Sequence, residues 1–246
     1  KESAGPRLTS MLGATLTYNS LDNNKNPTSG IYAEIRPEVA GLGGDSQFVR
    51  ITGDARYYRE LYEDVVGIVR LQGGHVMGFG DDNLRILDHF FLGPTLVRGF
   101  APSGIGPRDV STSDTRGSAI GGTTYFGGSL EVQFPIPIIP RDFGMKFAVF
   151  ADAGTLFGYK GCTTFGAIGG NVVCTPAGNV GLAVRDEPTI RSSVGASLLW
   201  QSPLGPIRFD YAFVLSKDEG QIDPLTGARV GADREQAFRF SGGTRF

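Results

Sequence analysis

The chain has 246 residues, 40% of them hydrophobic and 20% charged, with a formal net charge of −2. That length suits one large domain, and the near-neutral charge excludes both a disordered polyelectrolyte and a basic surface for gripping nucleic acid. Glycine supplies 37 residues, a share that spoils helices but is tolerated in long curved strands. No run of 18 apolar residues occurs, which excludes a membrane-spanning helix and leaves a membrane-spanning β-barrel open, because barrel strands average to neutral hydropathy. Residues 1–6 carry neither an initiator Met nor the apolar stretch of a secretory signal, which reads as a mature segment or an excised piece.

In chain order, apolar residues recur at every second position, the period of a strand. Residues 8–19 form the first expected strand. In the second, Ile31, Ala33 and Ile35 face away from Tyr32, Glu34 and Arg36; in the third, Val49, Ile51, Ala55 and Tyr57 oppose Arg50, Thr52, Asp54 and Arg56. Further strands are expected at 65–76, 123–134, 145–153 and 190–201. Ile207, Phe209, Tyr211 and Phe213 then alternate with Arg208, Asp210 and Ala212, and a last strand spans 236–246. The sum is about nine strands, most of roughly 9 to 12 residues, a length that suits a tilted strand crossing a bilayer.

Alternation alone fits two architectures. In a soluble sandwich or lipocalin-like barrel the charged face meets water and the apolar face meets a second layer; in a membrane barrel the apolar face meets lipid and the charged face lines a wet lumen. The connections favour the second. Residues 61–64, 135–142 and 202–205 are brief, whereas 77–122, 154–189 and 217–235 are long and fall at one end of the sheet. Short turns opposite long loops are the bacterial outer-membrane pattern.

The longest loop holds Phe91, Leu92, Gly93 and Pro94, then Val97, Arg98, Gly99 and Phe100. This resembles the sixth extracellular loop of the BamA family of outer-membrane insertases, in which a Val-Arg-Gly-Phe type motif folds back into the lumen. Residues 129–135 look like the strand after that loop, 150–155 like the next, and 202–212 like the turn and strand before the last. Residues 238–246 look like the terminal strand, ending in an aromatic, and 16–18 with 26–30 resemble an internal hairpin of the family. The resemblance covers essentially the whole chain. It implies an all-β, antiparallel transmembrane barrel of sixteen strands preceded by periplasmic POTRA domains, of which residues 1–246 would be the C-terminal portion of the barrel, without a POTRA pattern. Nine strands cannot close into a purely antiparallel ring, so an exposed edge is expected along the first strand.

Parity singles out a candidate latch. Leu130, Val132 and Phe134 share the apolar face of one strand, so Glu131 points inward; Met145, Phe147 and Val149 do so on the next, so Asp152 points inward as well. Two inward carboxylates on adjacent strands make a seat for a guanidinium. The resemblance places the loop arginine, Arg98, there, with Gly99 turning the backbone beside the wall and Phe100 as an apolar anchor. In the last strand, Phe238, Phe240 and Phe246 share one face, while Gly242 and Gly243 interrupt the strand; the resemblance makes this strand a C-terminal recognition signal, with Gly243 matching a kink at the seam.

Cys162 and Cys174 share one long loop, and a zinc site would need more ligands than that loop offers, so a disulfide is expected and no metal. No phosphate loop, dinucleotide fingerprint or nucleophile elbow occurs. The expectation is therefore a non-enzymatic protein without cofactor. The resemblance implies the bacterial outer membrane and insertion of barrel proteins through a weak seam that pairs with client strands. Its partners would be the lipid bilayer, unfolded clients and periplasmic accessory lipoproteins. A translocating pore of the two-partner secretion or TamA type is the alternative, and a passive structural or adhesin barrel would have no reason to set two acids opposite Arg98.

Overall fold

The computed structural model describes residues 8–41, 43–79, 84–111, 117–140, 143–168, 171–174, 180–202, 205–223 and 227–242. Its main sheet comprises β1 (Met11–Gly13), β2 (Leu16–Asn19), β3 (Gly30–Ala40), β4 (Phe48–Tyr62), β5 (Val65–Gly78), β6 (Thr124–Pro135), β7 (Met145–Phe157), β8 (Arg191–Ser202), β9 (Gly205–Ser216) and β10 (Phe238–Gly242). Each strand pairs antiparallel with the next in a simple meander, with β1 and β2 lying end to end on one edge of β3. A 3-10 turn spans Ile86–Asp88, and among the described residues no helix is long and apolar enough to cross a membrane.

The period-two pattern sets the facing. On β6, Leu130 is 58% exposed while its neighbour Glu131 is 8% exposed; on β7, Phe147 and Val149 are exposed while Asp152 is buried. The same holds across β3, β4 and β9, where Ile31, Ile35, Val49, Ile51, Tyr211 and Phe213 lie on the open face. Apolar side chains are outside and charged ones are covered inside, the reverse of a soluble sheet and the arrangement a lipid-facing wall requires. The sheet is open among the described residues, β10 pairing β9 and β1 and β2 pairing β3.

Two expectations are corrected. The first strand is broken at Ala14 and Thr15, although β1 and β2 keep one register against β3. The cause sits opposite: Ala14 donates to Pro37 O at 3.1 Å, and Pro37 has no N–H to return the bond. The last strand, expected from 236, begins at Phe238, and Gly242 continues the strand rather than interrupting it, paired to Ile207. A Cβ at Gly242 would meet nothing closer than the Phe240 ring at 3.7 Å.

The apolar core is small and lies inside. Leu96, Val97, Phe100 and Ile105 from the β5–β6 loop cluster with Leu156 of β7, and Phe90, Leu92, Tyr125 and Val214 pack around them. A second cluster, Ala40, Phe48, Val76 and Leu84, holds the loop where it leaves β5.

Candidate functional site: an arginine latch on the inner wall

The β5–β6 loop reaches the inner wall because the wall has been cleared for it. Gly127 of β6 and Gly154 of β7 are register partners, and a Cβ on either would come within 2.6 Å or 2.9 Å of the Leu96 side chain. Next to Leu96, Gly99 adopts φ of +95° and turns its bare Cα toward Ala212 and Val214 of β9. Phe100 is fully buried.

Between those two seats Arg98 spans adjacent strands. Its Nε donates to Asp152 Oδ2 at 2.7 Å and its Nη2 to Asp152 Oδ1 at 2.6 Å, a planar two-pronged grip, while the Arg98 amide adds a third bond to Asp152 at 3.0 Å. Nη1 donates to Glu131 Oε2 at 2.6 Å and Nη2 to Ser129 Oγ at 2.8 Å. The guanidinium lies 3.5 Å from the centre of the Phe150 ring, so a π face covers the side the carboxylates leave open.

Parity also turns Arg208 of β9 inward, and sequence reasoning did not connect it to this site. Its Nη2 donates to Glu131 Oε2 at 2.6 Å, its Nε to Asp210 Oδ1 at 2.7 Å, and Ser197 closes the group. The cluster thus holds two guanidinium groups against Glu131, Asp152 and Asp210, all with side chains at most 12% exposed. Mutual pairing keeps these charges tolerable in a wall that water barely reaches.

Above the latch, the long loops interlock, again through residues the sequence pattern did not single out. Arg108–Asp109 of the β5–β6 loop pairs with both Ser118–Ala119 and Val184–Arg185. Arg191 at the start of β8 binds Asp233 at 2.9 Å, and Asp233 accepts the Asp218 amide at 2.7 Å. Burial works against the Asp218 charge, but the Arg185 hydrogen bond and the Gly220 amide hold its carboxyl below the usual range. In the β7–β8 loop, Cys162 and Cys174 are joined as a disulfide, spanning 5.8 Å between Cα atoms. On the outer face of β10, Phe238 and Phe240 are exposed and stack around Phe209. Gly243 and Phe246 lie outside the described residues.

The Omp85 superfamily domain matches residues 1–246. The chain belongs to the Omp85 superfamily. It is 33% identical over 222 residues to the outer membrane protein assembly factor BamA of Neorickettsia risticii, covering 89% of this chain and 27% of that protein. Identity to the BamA of Nitratidesulfovibrio vulgaris is 27% over 249 residues, covering 100% and 27%. The sorting and assembly machinery component 50 homolog of Xenopus tropicalis is 33% identical over 162 residues, covering 63% of this chain and 33% of that protein. This Omp85 chain therefore spans about a quarter of the length of the BamA proteins it matches. Its fold matches the crystal structure of BamA from Haemophilus ducreyi lacking POTRA domains 1–3, with a TM-score of 0.69, 22% identity, and coverage of 94% of this chain and 41% of that one. Its sheet has the fold of part of a bacterial outer-membrane β-barrel of BamA-like type.

Proposed function

We propose that this Omp85 segment serves the insertion of β-barrel proteins into the outer membrane, by pairing a client's edge strand to its own terminal strand. The observation that carries this reading is the place of the last strand at the end of the sheet. Among the described residues β10 pairs with β9, from Tyr211–Phe238 to Ile207–Gly242, and no strand pairs its other edge. A strand paired on one side offers its other edge for β-augmentation. Hydrocarbon penalises every unpaired backbone group, so a client strand that pairs there gains direction without a nucleotide or cofactor. The names of the relatives as assembly factors support the same reading. Unfolded outer-membrane proteins are then the clients, the bilayer is the solvent, and periplasmic accessory lipoproteins are the partners in delivery.

The test is insertion of a urea-denatured client barrel into liposomes carrying the protein, with a cysteine at Ser241 to trap the client's terminal strand. Faster protease-protected folding than in empty liposomes, together with a client cross-link at that position, is expected. Folding at the empty-liposome rate with no cross-link overturns the reading, and a client chain released across the bilayer favours the translocating pore.

A further inference from the structure

The loop that carries Arg98 is tied to the terminal strand as well as to β6 and β7. Residues 93–97 form a tight turn in which the Leu96 and Val97 amides both donate to Gly93 O, each at 3.0 Å. That turn leaves the carbonyls of Pro94 and Thr95 for other donors, and they come from strands far apart in the sheet. Gln72 of β5 donates to Thr95 O at 2.9 Å, and Arg239 of β10 donates from Nη1 to Pro94 O at 2.9 Å.

A second set of bonds continues the tie. The ladder between β9 and β10 ends where the Ala212 amide donates to Ala237 O at 2.8 Å. Just upstream, the backbone turns to the loop instead: the Gln236 amide donates to Gly99 O at 2.9 Å, Ala101 to Arg234 O at 2.8 Å, and Arg234 to Gly104 O at 2.9 Å. Phe100 and Glu235 are bridge partners. The chain leading into β10 is thus a strand of the loop before it is a strand of the sheet.

We propose that Arg239 is a positioning residue that couples the terminal strand to the Arg98 loop, so that releasing either one loosens the other. Three residues separate Pro94, held by β10, from Arg98, held by β6 and β7, and the turn between them is closed by its own hydrogen bonds. A displacement at one end is carried to the other because that short turn has little freedom to absorb it. Coupling of this kind is reciprocal by thermodynamic necessity. It is independent of the insertase reading, since it is read with no client present.

The experiment is amide hydrogen exchange, followed by mass spectrometry, on the protein in lipid nanodiscs, with heat-modifiable gel migration confirming a folded barrel. Arg239→Ala should speed exchange in residues 93–101 by about fivefold or more, and Arg98→Ala should do the same for residues 234–242, with β3 to β5 unchanged. Arg239→Lys, which can still donate to one carbonyl, should restore slow exchange in the loop. Should the alanine variant fail to fold, Arg239→Gln, too short to reach Pro94, takes its place. Effects confined to the segment carrying each substitution, or a lysine variant no better than alanine, overturn the coupling.

Discussion

Arg98 and Arg208 converge on a single atom, Glu131 Oε2, each with one guanidinium nitrogen at 2.6 Å. Glu131 is therefore shared between the loop and β9, while among the described residues the Asp152 carboxylate is gripped by Arg98 with Ser129 as its further partner. The two acids of the latch are not equivalent, and this separates their expected energetics.

Replacing Arg98 by Ala leaves Glu131 with Arg208 but strips Asp152 of its cation. A cost of about 2 to 4 kcal/mol is expected, at or below that of breaking a fully buried pair. In double-mutant cycles, Arg98 with Asp152→Asn should show the larger coupling and Arg98 with Glu131→Gln the smaller. Arg98→Lys should recover part of the stability, because a point charge cannot reproduce the planar grip. Denaturant titration of the folded barrel measures all three, and equal coupling to both acids would contradict the geometry.

What the sequence disclosed here follows from how far each signal reaches. Alternation is local, so it placed Glu131 and Asp152 on the inner face and Leu130 and Val149 on the outer one. Arg208 sits on the same polar face as Asp210 and obeys the same parity, yet its meeting with Arg98 depends on β6 and β9 lying three strands apart in a curved wall, which no local pattern encodes. Gly127 and Gly154 were hidden among 37 glycines, since only their register and the Leu96 above them show why those two are bare. The break in the first strand was legible in principle from Pro37, once that residue is known to face Ala14.

The glycine seat makes its own prediction. Gly127→Val or Gly154→Val would drive a side chain into Leu96, whose neighbours Val97 and Phe100 are fully buried and have no slack. Overpacking of this kind costs about 1 to 3 kcal/mol, enough to lift the loop without melting the sheet. Limited proteolysis within residues 93–105 should become faster while the barrel keeps its gel mobility. Pairing Gly127→Val with Leu96→Ala should restore protection, and failure of that rescue would show that the glycines serve something other than Leu96.

On the outer wall, arginine at Leu130 should cost about 2 to 4 kcal/mol near the bilayer midplane, because the charge meets hydrocarbon. Spin labels at Leu130 and Val149 should be quenched by lipid-soluble oxygen, and a label at Ser129 should be shielded from it. The reverse pattern would invert the facing of the sheet.

The last prediction concerns His89, which joins two of the long loops. Its Nδ1 lies 2.8 Å from Arg85 O, a carbonyl that can only accept, so the proton sits on Nδ1. Nε2 is then bare and accepts the Lys160 amide at 3.2 Å, while the ring stacks on Tyr159 at 5.0 Å between centroids. Burial pushes the imidazole pKa down, with Arg50 acting in the same sense and the Arg85 carbonyl and Asp88 acting against it. A histidine whose folded pKa lies below its unfolded value contributes stability above the unfolded pKa and loses it as pH falls below that point. Acidification from about pH 7.5 to pH 5 should therefore weaken the junction between residues 85–91 and 157–162, because a protonated Nε2 would face the Lys160 amide donor. Protection factors in those two segments, with the intrinsic pH dependence of amide exchange divided out, should fall at the lower pH. His89→Phe keeps the stack on Tyr159 and removes the titration, so its protection should be lower than the parent's at neutral pH and nearly flat across the range. The other histidine of the chain, His75, bonds Thr124 at the far edge of β5 and serves as the control: His75→Phe should leave the pH response intact. A response that survives His89→Phe would assign the pH dependence to another group.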